Sequence, residues 1–246
     1  MNKLSYIKFF ALILVALISP VIANAERPHV TEDLGITEPG KFELEIGSLF
    51  EDVGGNHKVF INEFVLITGI YDRIELNINV PLQFYDSFSG HEGLSDVHLL
   101  IKSRFIDEGD ANPALGAVFE VSIPSGDDEK NLGTGHTDHS VKIIAEKQIG
   151  KFNFDINGGY TFIKEGVDRF FYAASAHYGL FDRFHIVSEF AGEADHKGKN
   201  EDPLFIMGGF QTHFTCDTFL DMGMRFGLTK DSPDYTLVVG LTIPLN

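Results

Sequence analysis

The sequence predicts an all-β protein: a single antiparallel transmembrane β-barrel of about twelve strands, of the outer-membrane type. Three observations carry this. The first is the stretch 151–162, KFNFDINGGYTF. Phe152, Phe154, Ile156, Tyr160 and Phe162 fall on one face, and Lys151, Asn153, Asp155, Asn157 and Thr161 on the other. This is the period-2 pattern of a strand with one oily and one polar side, and its length suits the roughly 9–11 tilted residues that cross a bilayer as a strand. The second is that such stretches recur, with connections that tend to alternate between short and long, as periplasmic turns and outer loops do in membrane barrels. The third is that the polar faces carry charges of both signs at mid-strand, which suits a wet lumen better than the outside of an ordinary sheet.

The start of the chain reads as a secretory leader. Lys3 and Lys8 flank an apolar run at 9–18, Pro20 breaks it, and Ala23-Asn24-Ala25 is an A-x-A cleavage site. The expected organisation is a signal peptide at 1–25, an irregular periplasmic segment at 26–40, and the barrel at 41–246. No Cys follows the cleavage site, which argues against a lipoprotein. After residue 25 no apolar run approaches the ~20 residues of a spanning helix, so strands must do the crossing.

The formal net charge is −17, and loss of the two leader lysines takes the mature chain to −19. That excludes nucleic acid as a natural partner. Cys216 is the single cysteine, so no intrachain disulfide forms. Trp is absent while Phe numbers 23 and Tyr 7, so an aromatic girdle must be built from those two.

Taken in order, 26–40 (ERPHVTEDLGITEPG) has no period and ends on a Pro39-Gly40 turn. We read it as an irregular periplasmic lead-in that can tuck into the barrel mouth, its position left open by the sequence. The strand 41–51 turns Phe42, Leu44, Ile46 and Phe50 to lipid and Glu43 and Glu45 inward. After the loop 52–56, the strand 57–70 turns Phe60, Phe64 and Leu66 out. Beyond the tight Tyr71-Asp72 turn, Ile74, Leu76, Ile78 and Val80 face out, and Arg73, Glu75, Asn77 and Asn79 face in. The loop 85–93 leads to the strand 94–105, with Val97, Leu99, Ile101 and Phe105 outward and Asp96, His98, Lys102 and Arg104 inward. A polar turn at 107–112 precedes 113–123, where Leu115, Phe119, Val121 and Ile123 face out and Glu120 and Ser122 in.

The longest loop, 124–137, comes next. The strand 138–149 sets Lys142 and Glu146 opposite Val141, Ile143 and Ala145. After 151–162 and a loop at 164–167, the strand 168–179 turns Phe170, Tyr172 and Tyr178 out and Arg169, Ser175 and His177 in. Past Phe181-Asp182, 183–191 puts Phe184, Ile186 and Phe190 out and Arg183, His185 and Glu189 in. A charged loop at 192–202 leads to 203–214, with Leu204, Ile206, Phe210 and Phe214 out and Gln211 and His213 in. The strand 218–229 puts Leu220, Met222, Met224, Phe226 and Leu228 out and Asp221 and Arg225 in. After the loop 230–233, 234–245 puts Tyr235, Leu237, Val239, Leu241, Ile243 and Leu245 out. Twelve is an even count, as in bacterial single-chain barrels.

Several short motifs carry a family resemblance. They are Arg27-Pro28, Thr31-Glu32-Asp33 and Glu38-Pro39-Gly40-Lys41-Phe42-Glu43-Leu44-Glu45; then Ile123-Pro124-Ser125-Gly126 with Leu132-Gly133-Thr134-Gly135; then the Gly179–Arg183 turn and Asp231-Ser232-Pro233-Asp234. The chain resembles the family described as putative MetA-pathway of phenol degradation, or putative transporter. The resemblance covers essentially the whole mature chain. It implies an outer-membrane barrel acting as a channel for small organic, including aromatic, compounds. One departure is the end, Pro244-Leu245-Asn246, where such barrels commonly carry an aromatic residue for the assembly machinery.

The expected pore lining is Glu43, Glu45, Arg73, Glu75, Asp96, His98, Lys102, Arg104, Glu120, Asp155, Arg169, His177, Arg183, His185, Glu189, Asp221 and Arg225. These charges could pair across strands and fill the interior, or line a pore and tune which solutes pass. Twelve strands enclose more space than the eight-strand interior that side chains can fill. No cofactor or metal site is expected. His57, His91, His136, His139 and His196 scatter over outer loops without zinc-site spacing, and Asp127-Asp128-Glu129 lacks the spacing of a calcium loop.

An outer-membrane lipid hydrolase would need a paired Ser and His on the lipid face. His139 and Ser140 are adjacent and so point to opposite sides, and Ser188 has no His beside it on that face. The expected function is therefore a passive channel and not an enzyme. A structural or lipid-organising barrel without an open pore is the alternative. The expected surroundings are outer-membrane lipid and lipopolysaccharide of a Gram-negative cell, reached through the periplasm and the barrel-assembly machinery.

Overall fold

The computed structural model describes residues 27–195, 202–214 and 218–246. The leader, His196 and Cys216 lie outside them. The strands are β1 (Phe42–Gly54), β2 (His57–Tyr71), β3 (Ile74–Asp86), the two-residue β4 (Gly93–Leu94), β5 (Val97–Ile106), β6 (Ala114–Ile123), β7 (Asp138–Ile149), β8 (Phe152–Phe162), β9 (Arg169–Phe181), β10 (Phe184–Asp195), β11 (Leu204–His213), β12 (Phe219–Gly227) and β13 (Tyr235–Pro244). Each long strand pairs antiparallel with its chain neighbour, β5 pairing with β3 past β4. The ring closes where β1 pairs with β13, Glu43 opposite Pro244 through Asp52 opposite Tyr235. The twelve long strands thus form a closed barrel with no free edge, so its wall satisfies its own backbone groups, as a spanning structure must.

Several boundaries differ from the sequence reading. The stretch 94–105 is not one strand. Gly93 and Leu94 pair with Gln83 and Leu82 of β3, and β5 begins only at Val97. Between them Asp96 is held by the loop 124–137, described below, and this draws the backbone off the ladder. On the outer side, β1 and β10 run past their expected ends to Gly54 and Asp195. The β1–β2 turn closes through Gly54, Gly55 and Asn56, all at positive φ, which the two glycines adopt without steric cost.

The apolar faces point outward. Ile156 is 62% exposed, and Ile143, Phe119 and Phe226 are likewise bare. Rings gather at both rims. At the short-turn end Phe152 lies 4.7 Å from Tyr178, and Phe184 5.5 Å from Phe210. Toward the loops, Tyr160 meets Phe162 at 4.8 Å and Phe50 meets Tyr235 at 6.4 Å. These are two Phe/Tyr girdles around an apolar belt, the exterior of a membrane barrel. Inside, Leu34, Ala114, Val118 and Ile144 form a small dry cluster with Leu100 beside it. The rest of the buried interior is largely polar.

Candidate functional site

The lumen is occupied by the chain's own segment 27–40. The sequence gives this stretch no period and leaves its position open. The structure threads it inside, from Gly40, whose N–H donates to Gly69 O (2.9 Å) near the short-turn end, to Arg27 among β1, β11 and β12. An irregular segment has no ladder, so each buried amide needs another acceptor. The barrel wall supplies them. Glu189 Oε1 accepts from Val30 N (2.9 Å), Thr31 N (2.7 Å) and Thr31 Oγ1 (2.5 Å). Asn157 exchanges two bonds with the Glu32 backbone, at 2.7 and 3.0 Å. Glu146 accepts from Leu34 N and Glu75 from Thr37 N.

Wall donors take the segment's carbonyls. Arg225 Nη2 donates to Pro28 O (3.0 Å), Gln211 Nε2 to Arg27 O (2.5 Å) and Arg104 Nη1 to Leu34 O (3.3 Å). Ion pairs complete the clasp: Arg27–Glu45 at 3.3 Å, Lys142–Glu32 at 3.0 Å and Lys102–Asp33 at 3.7 Å. The segment presses closely on its wall. A Cβ at Gly69 would overlap Thr37 O, and one at Gly116 would overlap the Leu34 side chain, so both positions need a residue without one.

Two cavities adjoin the segment. The outer one, about 730 Å³, opens among the long loops and is floored by Val30, with Phe171, Phe205, His98, Glu120 and Lys142 on its walls. Lys142 Nζ lies 5.4 Å from the Phe171 ring centre. The inner one, about 320 Å³, lies along Arg27–Glu32 and shares Val30, His98, Glu120 and Lys142 with the first.

The loop 124–137 is folded onto this vestibule by one carboxylate. Asp96 accepts from Gly126 N (3.0 Å), Thr134 N (2.7 Å) and Thr134 Oγ1 (3.0 Å), and Leu132 packs beneath it, 7% exposed. Burial pushes the Asp96 carboxyl up, but the amides of Thr134 and Gly126 outweigh this and hold it below the usual carboxylate range. A group depressed in the folded state contributes stability above its ordinary pKa and loses it as pH falls through the folded value. The latch should therefore hold at neutral pH and release only in acid below about pH 4. Asp96→Ala should release it at pH 7, raising cleavage within 124–137 by a broad-specificity protease about tenfold, the loss of roughly one charge-assisted hydrogen bond.

The expected lining residues fall into distinct places. Glu45, Glu75, Lys102, Asp155, Glu189 and Asp221 are buried in the lumen, while Glu43, His98, Glu120, His177, His185 and Arg225 lie half-buried on inward faces. Glu120 lies 2.7 Å from His98, and Asp155 lies 3.5 Å from His177. Arg169 pairs with Glu193 at the loop end of the barrel. Arg104 reaches both the segment and Asp107. Arg73 is a correction: it sits in the β2–β3 turn, exposed, bonded to Asp107 of the next short turn, because the ladder starts one residue later at Ile74. Arg183 likewise belongs to the β9–β10 turn, as Lys151 does to the turn before β8. Period-2 parity carried past a strand end assigns such residues to a face they do not have.

The residues that sequence reasoning missed are those of the segment: Arg27, Thr31, Glu32, Asp33 and Leu34. The one sequence signal was the resemblance, whose opening motif contains Arg27, Thr31, Glu32 and Asp33 but not Leu34. The loop motif is explained too, since Gly126 and Thr134 are the two amides on Asp96.

A closed antiparallel barrel of twelve long strands, greasy outside between aromatic girdles and charged inside, defines the outer-membrane type of β-barrel. Within that class, the chain belongs to the family described as "Putative MetA-pathway of phenol degradation", whose model matches residues 27–243. No curated protein matches it significantly. Among solved structures it is similar to the COG4313 outer membrane channel from Pseudomonas putida F1, at 16% identity and TM-score 0.67, covering 89% of this chain and 99% of that one. It is also similar to the KdgM porin (6% identity, TM-score 0.62, covering 83% and 99%) and the NanC porin (9%, 0.62, 83% and 100%). At such identities the likeness establishes the fold.

Proposed function

We propose that the protein is a passive outer-membrane channel for small organic, including aromatic, solutes, entered from the outer vestibule and gated by segment 27–40. The observation that carries this reading is the pair of cavities meeting on that segment, with Val30, His98, Glu120 and Lys142 common to both. The outer one combines the phenyl faces of Phe171 and Phe205 with a few polar groups, the usual composition of a small-molecule site. The family description, which names phenol degradation, and the channel and porin names of the similar structures support the same reading. The apolar belt sits among outer-membrane lipid and lipopolysaccharide, where the barrel-assembly machinery delivers such folds.

Single-channel recording of the purified mature protein in planar bilayers should show discrete conductance steps that phenol or benzoate alters. The second reading, a structural or lipid-organising barrel with no open pore, is favoured by the number of bonds holding the segment in place. It predicts no steps from the wild type and none from a variant whose segment has been removed.

A further inference from the structure

We propose that the inner cavity is a subsite for the charged end of a small organic cation, an ammonium, amidinium or guanidinium, and that Arg27 occupies its edge as a built-in stand-in. The proposal deepens the channel reading by naming a substrate class, although binding itself needs no open pore. The cavity runs along the segment against β1, β2 and β3, with Glu45, Glu63, Asn77 and Asn79 on its wall. Two acceptors on this wall have no partner among the described residues. Asn77 is 3% exposed, and the Oδ1 atoms of both Asn77 and Asn79 are buried without a hydrogen bond. A buried acceptor left in that state is costly, and a ligand carrying N–H groups would relieve it. Glu63 forms no ion pair among the described residues.

The basic side chains bordering the cavity already have carboxylate partners. Lys142 is bound to Glu32, His98 to Glu120 and Arg27 to Glu45. Arg27 shows what the place accepts. Its Nη1 lies 3.3 Å from Glu45, and its Nε and both Asp221 oxygens lie close to the same point beside Gly240, where a Cβ would stand. The fit is incomplete, since Arg27 Nε and Nη2 and both Asp221 oxygens make no hydrogen bond. A mobile cation can compete for this acidic surround, whereas an anion entering the cavity meets Glu63, Glu45 and the two amide oxygens, and Arg27, His98 and Lys142 on the same lining already face carboxylates. Such an arrangement selects by sign as well as by size.

Benzamidinium and benzoate are planar, of matched size and opposite charge, and separate the cases. Isothermal titration of the detergent-folded mature protein should show benzamidinium binding at least about tenfold tighter than benzoate. Glu63→Gln and Asn77→Val should each weaken benzamidinium about tenfold, the effect of one lost charge-assisted hydrogen bond. Arg27→Ala, by vacating the edge of the site, should tighten it. The wild-type contrast between the two probes decides the question even where a variant folds poorly. Absence of benzamidinium binding, benzoate binding as tight, or an affinity unmoved in both Glu63→Gln and Asn77→Val overturns the proposal. The channel reading fails on a different result, silence in planar bilayers, which leaves this titration unaffected.

Discussion

Glu189→Ala should turn a mostly occluded channel into one that flickers open. Glu189 is 4% exposed, and a single oxygen of it receives three donors from Val30 and Thr31. Hydrogen bonds to a charged acceptor contribute about 1.5–3 kcal/mol each. The three share one oxygen, and the other, Oε2, is buried without a partner, so the net loss is well below their sum. A loss of about 3 kcal/mol shifts the in-to-out equilibrium of the segment about a hundredfold. Deletion of residues 28–38 supplies the reference, because it removes the occluding chain and fixes the fully open conductance. Planar-bilayer records of Glu189→Ala should then alternate between the wild-type level and the deletion level. A deletion variant that conducts no better than the wild type would show that the segment does not limit flow. A Glu189→Ala record identical to wild type, beside an open deletion variant, would move the principal clasp to Asn157 and the Lys142–Glu32 pair.

The barrel was legible because its information is local. In β7 the alternation of Val141, Ile143 and Ala145 against Lys142 and Glu146 places both ends of the strand where the ladder has them. One buried side suffices to fix register, since a slip of one residue exchanges the faces. The misreadings occur where a distant residue intervenes. The break before β5 depends on Asp96 meeting amides 30 and 38 residues on. The segment 27–40 is the extreme case. Its conformation is written in partners such as Asn157 and Glu189, 125 and 158 positions away from Glu32 and Thr31, and a window scan for periodicity sees none of this.

The candidate site follows from the same fact. Sequence parity puts Glu45, Glu75, Asp155, Glu189 and Asp221 on one face of their strands, but says nothing of what they bind. Two bland possibilities, cross-strand pairs or a bare charged pore, were the natural expectations. Some of these groups do meet across strands, as Glu75 meets Lys102, and several carboxylates also serve a third purpose, as acceptors for the amides of a segment that has no ladder. Acids outnumber bases on the inner wall, and three of them, Glu75, Glu146 and Glu189, supply acceptors that the segment's amide hydrogens need. The same excess leaves Glu63 without an ion pair among the described residues and gives the inner cavity its sign.

Ile156→Arg is the substitution with the largest expected effect on stability, and it tests the solvent on the far side of the wall. Ile156 stands at the middle of β8, between Ala145 of β7 and Ala174 of β9, and is 62% exposed. In water, a surface substitution at such a place changes stability by about 0.5 kcal/mol or less. In the hydrocarbon of a bilayer, an arginine near the midplane of a barrel costs about 2–4 kcal/mol. Denaturant unfolding of the barrel from lipid vesicles should reveal the larger value. Asn157→Ala, one residue along and facing inward, is the internal control. It removes the pair of bonds to Glu32 and should increase conductance without impairing insertion into vesicles. If Ile156→Arg instead left the unfolding midpoint unchanged, the apolar belt would be facing something other than lipid. Neighbouring residues of one strand would then no longer report two different solvents, and the assignment of inside and outside that every other step uses would have to be reversed.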